Sequence, residues 1–100
     1  MGHSRLDFHA LLKTFTDHVY FQPPPSVQMN FPCIVYRRSE LHTDFADNSP
    51  YKLKKRYQIT VIAADPDTDL PDKVAALPLC SYERFFTSDS LNHDVFNVFF

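Results

Sequence analysis

Residues 51–64 constrain this chain more than any other feature, because one strand-length segment starts as a ladder of cations and ends as a ladder of apolar side chains. Successive side chains on a strand point to opposite faces. Lys52, Lys54 and Arg56 therefore share one face with Gln58 and Thr60, while Leu53, Tyr57, Ile59 and Val61 take the other, with Lys55 as the exception. The second half predicts a core strand, and the first half predicts an arm that runs past the core. Projecting charged β-arms suit a chain that docks onto neighbours better than a self-sufficient enzyme.

A chain of 100 residues, 44% of them hydrophobic and ten of them Phe, is expected to fold as one globular domain over residues 1–100 around a single core. Its formal net charge of -2 argues against a general polyanion binder, so any attraction to nucleic acid has to come from a local patch. The only glycine is Gly2. Phosphate-cradling loops need several glycines for close backbone approach, so P-loop and dinucleotide fingerprints are absent and no cofactor is expected. Turns have to be built from Asn, Asp, Ser and Pro instead.

Cys33 and Cys80 stand beside apolar residues without CxxC or zinc spacing, which predicts reduced, packed thiols and no metal centre. Arg5, Asp7, His9 and Lys13 interrupt any apolar run near the start, so no signal peptide is expected. No stretch reaches the roughly 20 apolar residues of a membrane span. These features together predict a chain that folds in a reducing cytoplasm and has no membrane partner.

Ser4 followed by Asp7 resembles a capping box, and Phe8, Leu11, Leu12, Phe15 and Val19 recur at helical spacing. A first helix over residues 5–20 is the expectation, stopped by Pro23, Pro24 and Pro25, which make a stiff connector. Residues 32–39 read as a strand in which Cys33 and Val35 alternate against Ile34 and Tyr36, ending in Arg37 and Arg38. A polar loop over residues 40–50 then leads into the long strand, and the two strands form an antiparallel hairpin. That pairing predicts a basic cluster of Arg37, Arg38, Lys54, Lys55 and Arg56 at the hairpin end, with Glu40, Asp44 and Asp47 as counter-charges.

Asp65, Pro66, Asp67, Thr68 and Asp69 end the long strand, and Pro71 fits the first turn of a short helix reaching Leu77, closed by Pro78. Residues 81–87 and 94–100 read as a final antiparallel pair across a Ser, Asp and Asn turn region that includes His93. Val95, Phe96, Val98, Phe99 and Phe100 are apolar on both faces and need cover from helices or from another subunit. The fold class is therefore α+β: helix, two strands, short helix, two strands, forming an antiparallel sheet of about four strands with both helices on one face.

Chemical motifs are thin. Asp65, Asp67 and Asp69 alternate as in a calcium loop, but Leu70 stands where that loop needs glycine and Ala76 where it needs glutamate, so the acids read as a turn favouring a helix N-terminus. His93 beside Asp94, with Cys80 elsewhere, matches no nucleophile and base spacing, and no catalytic residue is nominated. A copper site at Met1, Gly2 and His3 would lose its spacing if Met1 were removed before the small Gly2. The interleaved aromatics and cations of residues 51–57 are compatible with nucleic-acid contacts, although a subunit-facing or solvated strand is the ordinary reading.

The segments FPCIVY at 31–36, FADN at 45–48, KRYQITV at 55–61, DKVAAL at 72–77 and NHDVF at 92–96 resemble the small tail-terminator, or tail-completion, proteins of long-tailed bacteriophages. The resemblance runs over nearly the whole chain and rests on layout and phrasing. It implies a non-enzymatic structural protein of the virion, assembled in the host cytoplasm and placed at the tail-to-neck junction. There a homohexameric ring caps the tail tube, ends its polymerisation and meets the neck, or head-closure, protein, while genomic DNA crosses a central channel without specific recognition. The chain is short for that family, and the alternatives are another neck ring or a small nucleic-acid-binding module using residues 51–57. A ring needs two complementary patches per subunit. Arg37, Arg38, Lys52, Lys54, Lys55 and Arg56 are the expected basic interface or channel lining, Asp44 and Asp47 the loop contact, and Asp67 and Asp69 the opposite side.

Overall fold

The computed structural model describes the backbone of residues 4–46 and 49–100 and the side chains of residues 4–39 and 55–100. The chain runs α1 (Arg5–Lys13), β1 (Val19–Phe21), β2 (Cys33–Ala46), β3 (Ser49–Ala63), α2 (Leu70–Ala75), β4 (Cys80–Ser88) and β5 (Leu91–Phe99). One five-stranded sheet has the order β1-β2-β3-β5-β4. The α+β class with both helices on one face stands as expected. The sheet, however, has five strands, and it is mixed because β1 runs parallel to β2.

The extra strand comes from the stretch expected to be the end of the first helix. Ser4 caps α1 by accepting the Asp7 amide on its hydroxyl at 3.1 Å, as the sequence suggested. The helix stops at Lys13, where Thr14 turns its hydroxyl back onto the Leu11 carbonyl at 2.6 Å. Val19, Tyr20 and Phe21, a β-branched and aromatic triplet, then pair with Ile34, Val35 and Tyr36. Helical spacing misleads here because Phe15 and Val19 pack on the core from either geometry.

The hairpin of β2 and β3 is antiparallel, as expected. The expected polar loop at 40–50 is instead strand: β2 continues to Ala46 and β3 begins at Ser49, with Asp47 and Asn48 outside the described residues. Pairing of β3 with β5 reaches only Arg56 opposite Phe99, whereas pairing with β2 continues from Glu40 opposite Arg56 out to Ala46 opposite Ser49. A two-stranded ribbon thus extends about seven residues, or roughly 20 Å, beyond the third strand. The molecule measures 50 × 25 × 23 Å as a result.

The core lies between the sheet and the two helices. Phe8 and Leu12 of α1 and Leu70 and Val74 of α2 pack on Ile34 and Tyr36, on Tyr57, Ile59 and Val61, and on Phe96 and Val98. Phe8 is the hub: its ring stacks on Tyr57 at 4.7 Å, meets Tyr36 edge-on at 5.4 Å and touches Phe100 at 4.8 Å. Burying each such side chain contributes about 1.5–3 kcal/mol. The final strand finds the cover it needed on this face through Phe96, Val98 and Phe100.

The second helix covers Leu70–Ala75, slightly ahead of its expected span, with Pro71 in its first turn. The last hairpin turns through Asp89 and Ser90, not through His93, which lies on β5 stacked against Phe86 at 4.5 Å. Both turn residues have positive φ, 53° and 64°. A two-residue connection of that hand matches the twist of the strands and normally takes glycine. This chain supplies Asp, which tolerates the left-handed region, and Ser, a common turn residue.

Candidate functional site

The sheet divides the expected basic cluster. Arg37 pairs with Gln58 in the β2–β3 register and donates from Nε to its side-chain oxygen at 2.9 Å, on the face away from the helices. Arg38, the next residue, pairs with Tyr57 and lies on the helix face. Arg56 falls on the Gln58 side by alternation, and Lys55 falls on the Tyr57 side. The cations do not form one patch because neighbouring strand residues point apart.

On the open face a polar row crosses four strands. Arg37 holds Gln58, the Asn97 amide donates to the Glu83 carboxylate at 2.7 Å, and Arg84 approaches the same carboxylate at 3.8 Å. The Asn97 hydrogen bond, then that from Gln58 and the charges of Arg84 and Arg56, hold the Glu83 carboxyl below its ordinary value. Beyond this row β4 is an edge strand on which Tyr82, Phe85 and Phe86 are 55%, 54% and 37% exposed. An open edge carrying aromatic side chains is a surface suited to a second chain.

On the helix face a cleft of about 370 Å³ opens beside the ribbon, lined by Arg5, Phe21, Gln22, Arg38, Lys55 and Tyr57. Arg5 is fixed from two sides: its Nη1 donates to the Tyr36 hydroxyl at 3.2 Å, and its guanidinium lies 4.4 Å from the centre of the Phe21 ring. Burial, with Arg5 and Lys13 nearby, lowers the His9 pKa. His9 Nδ1 lies 2.7 Å from the Tyr36 hydroxyl, within hydrogen-bond distance. The Tyr36 hydroxyl thus has two hydrogen-bond partners, whereas the buried Tyr57 hydroxyl has none among the described residues. Such an orphan costs about 1–3 kcal/mol.

The remaining nominated residues are spread along the hairpin. Asp44 stands opposite Lys52 and His42 opposite Lys54 in the ribbon register, and Asp47 lies outside the described residues. The acidic turn is at the other end of β3. There Asp65 accepts the Asp67 amide at 2.9 Å, and Asp69 begins α2 and pairs with Lys73 at 3.8 Å. Opposite charge is thus separated along the long axis, by more than about 20 Å of strand.

Cys33 and Cys80 are free thiols; Cys33 is fully buried, and burial raises its pKa to about 11. Among the described residues no group of His, Cys, Asp or Glu could hold a metal ion, and no helix is long and apolar enough to cross a membrane. Met1, Gly2 and His3 are outside the described residues.

Sequence reasoning missed Arg5 and the polar end of Tyr57. Arg5 had a readable signal, since it stands three residues before Phe8 and seven before Leu12, on the buried stripe of α1. Nothing in the sequence indicated that Tyr36 would find partners and Tyr57 none. No family model matches the chain, and neither the curated proteins nor the solved structures contain a match.

Proposed function

We propose that the chain is a structural ring protein of a bacteriophage tail-to-neck junction, as its resemblance to tail terminators implies. It caps the tail tube, ends tube growth and joins the tail to a neck protein, with DNA passing through the centre. It acts by geometry and not by catalysis. The observation that carries this reading is the ribbon of β2 and β3, which continues well past the third strand. A two-stranded hairpin is marginal in water by itself. A long one is naturally supported by a neighbouring subunit, to which it adds surface without enlarging the core.

Two further features support a head-to-tail arrangement. The basic ribbon end and the acidic turn stand at opposite ends of β3, as a heterologous interface requires. The aromatic edge of β4 supplies exposed apolar area for the same contact.

Tube assembly tests the role directly. Added in excess to a polymerising tail-tube protein of the matching phage, the chain is expected to shorten the tubes and to appear by electron microscopy at one end of each. Tubes of unchanged length with bare ends would sink the proposal.

A further inference from the structure

Among the described residues the hydroxyl of Tyr57 is the buried side-chain polar atom that finds no hydrogen-bond partner, although the residue is only 1% exposed. Buried hydroxyls in folded proteins are nearly always paired, and an unpaired one marks a place that a bound species completes. Tyr57 lines the cleft that also receives Arg5, Arg38 and Lys55, and no carboxylate lines it among the described residues. Neither the Arg38 guanidinium nor the Lys55 ammonium has an ion-pair partner among the described residues. Three cations lining one cleft repel one another, the more so beside the apolar ring of Phe21, where screening by water is weaker.

The phenol is set up as a donor. Burial, then the neighbouring Tyr36, raises the Tyr57 pKa, while Arg5 and Arg38 pull the other way. A neutral hydroxyl on a residue that shares a cleft with three cations offers its proton to an acceptor that those cations attract.

We propose that this cleft binds a phosphate-class oxyanion, with Arg5, Arg38 and Lys55 supplying charge and N–H donors and the Tyr57 hydroxyl donating a further hydrogen bond. The donors come from α1, β2 and β3 and converge from different sides. A planar carboxylate is satisfied by one guanidinium fork, whereas a tetrahedral phosphate presents acceptors in several directions and carries more charge. The site shares Arg38 and Lys55 with the expected basic interface, but its test reads binding rather than assembly.

Inorganic phosphate, titrated into the full chain by calorimetry at matched ionic strength, is expected to bind saturably. Tyr57→Phe is expected to weaken that binding by about 10- to 100-fold, as befits one hydrogen bond to a charged group, while thermal stability in chloride stays equal or rises because the hydroxyl has no partner to lose. Arg38→Ala weakens phosphate binding at least as much, and Lys13→Ala, on the exposed end of α1, leaves it unchanged. A short single-stranded DNA in competition identifies the source: displacement of phosphate assigns the site to a nucleic-acid backbone, and no displacement assigns it to a free phosphate or phosphomonoester. No saturable binding of phosphate, or equal binding by wild type, Tyr57→Phe and Arg38→Ala, would overturn the proposal.

Discussion

Phe8→Ala is expected to remove about 3–5 kcal/mol of folding free energy, the usual cost of truncating a buried aromatic. The ring has no exposed surface, and its contacts with Tyr36, Tyr57 and Phe100 tie α1 to β2, β3 and the end of the chain. The other buried residue of the helix is Leu12, and the hydrogen bonds of Arg5 and His9 to Tyr36 are its polar ties to the sheet. A domain of this size has about 5–15 kcal/mol in total, so the variant stands close to unfolding at ambient temperature. Leu6→Ala, two residues away and 68% exposed, is expected to stay within about 0.5 kcal/mol of wild type. Urea denaturation of the two variants decides the matter. A loss below about 1 kcal/mol for Phe8→Ala would mean that α1 is not seated on the sheet as described.

Reversing charge on the ribbon is expected to abolish self-association without unfolding the domain. Lys52→Glu with Lys54→Glu changes two positions beyond the last residue of β3 that pairs with β5. Within the hairpin the first change sets a carboxylate opposite Asp44 in the register, a like-charge pair costing about 0.2–1 kcal/mol. Across a subunit contact, like-charge juxtaposition costs several kcal/mol, which corresponds to roughly 100-fold or more in affinity. Asp67→Lys with Asp69→Lys, on the exposed acidic turn, is expected to have the same effect from the other side. A chain carrying all four changes presents two complementary patches again and regains its particle mass, because a head-to-tail contact is restored when both partners are reversed. Sedimentation of the three variants distinguishes this from simple misfolding. Retention of full particle mass by the Lys52→Glu, Lys54→Glu variant would remove the ribbon from the interface.

The parts legible in the sequence are those where one face is buried. Ile34 and Tyr36 alternate with Cys33 and Val35, and the same alternation in Tyr57, Ile59 and Val61 marks the paired strands of the hairpin. Ser4 and Pro71 mark both helix starts. The ribbon reads as a loop at 40–50 because it lies beyond the third strand and its sequence carries no apolar alternation of the kind that signals a strand. The three-residue β1 escapes notice because a segment that short carries no periodicity of its own, and its partner lies beyond an eleven-residue crossover. The basic residues are recognisable one by one, but their grouping depends on which side of the sheet each falls. Arg37 and Arg38 are adjacent in sequence and start from opposite faces of the strand. The cleft is invisible in the sequence for a related reason, since it joins Arg5, Arg38 and Lys55 from three elements.

The central claim, a ring that recognises the end of a tail tube, is tested most directly by particle mass. Light scattering on the purified chain, alone and with short tail tubes of the matching phage, is expected to show the chain entering a particle of about six copies per tube end, the ring size the family resemblance implies. A chain that stays monomeric in both samples and never adds mass to the tubes would contradict it.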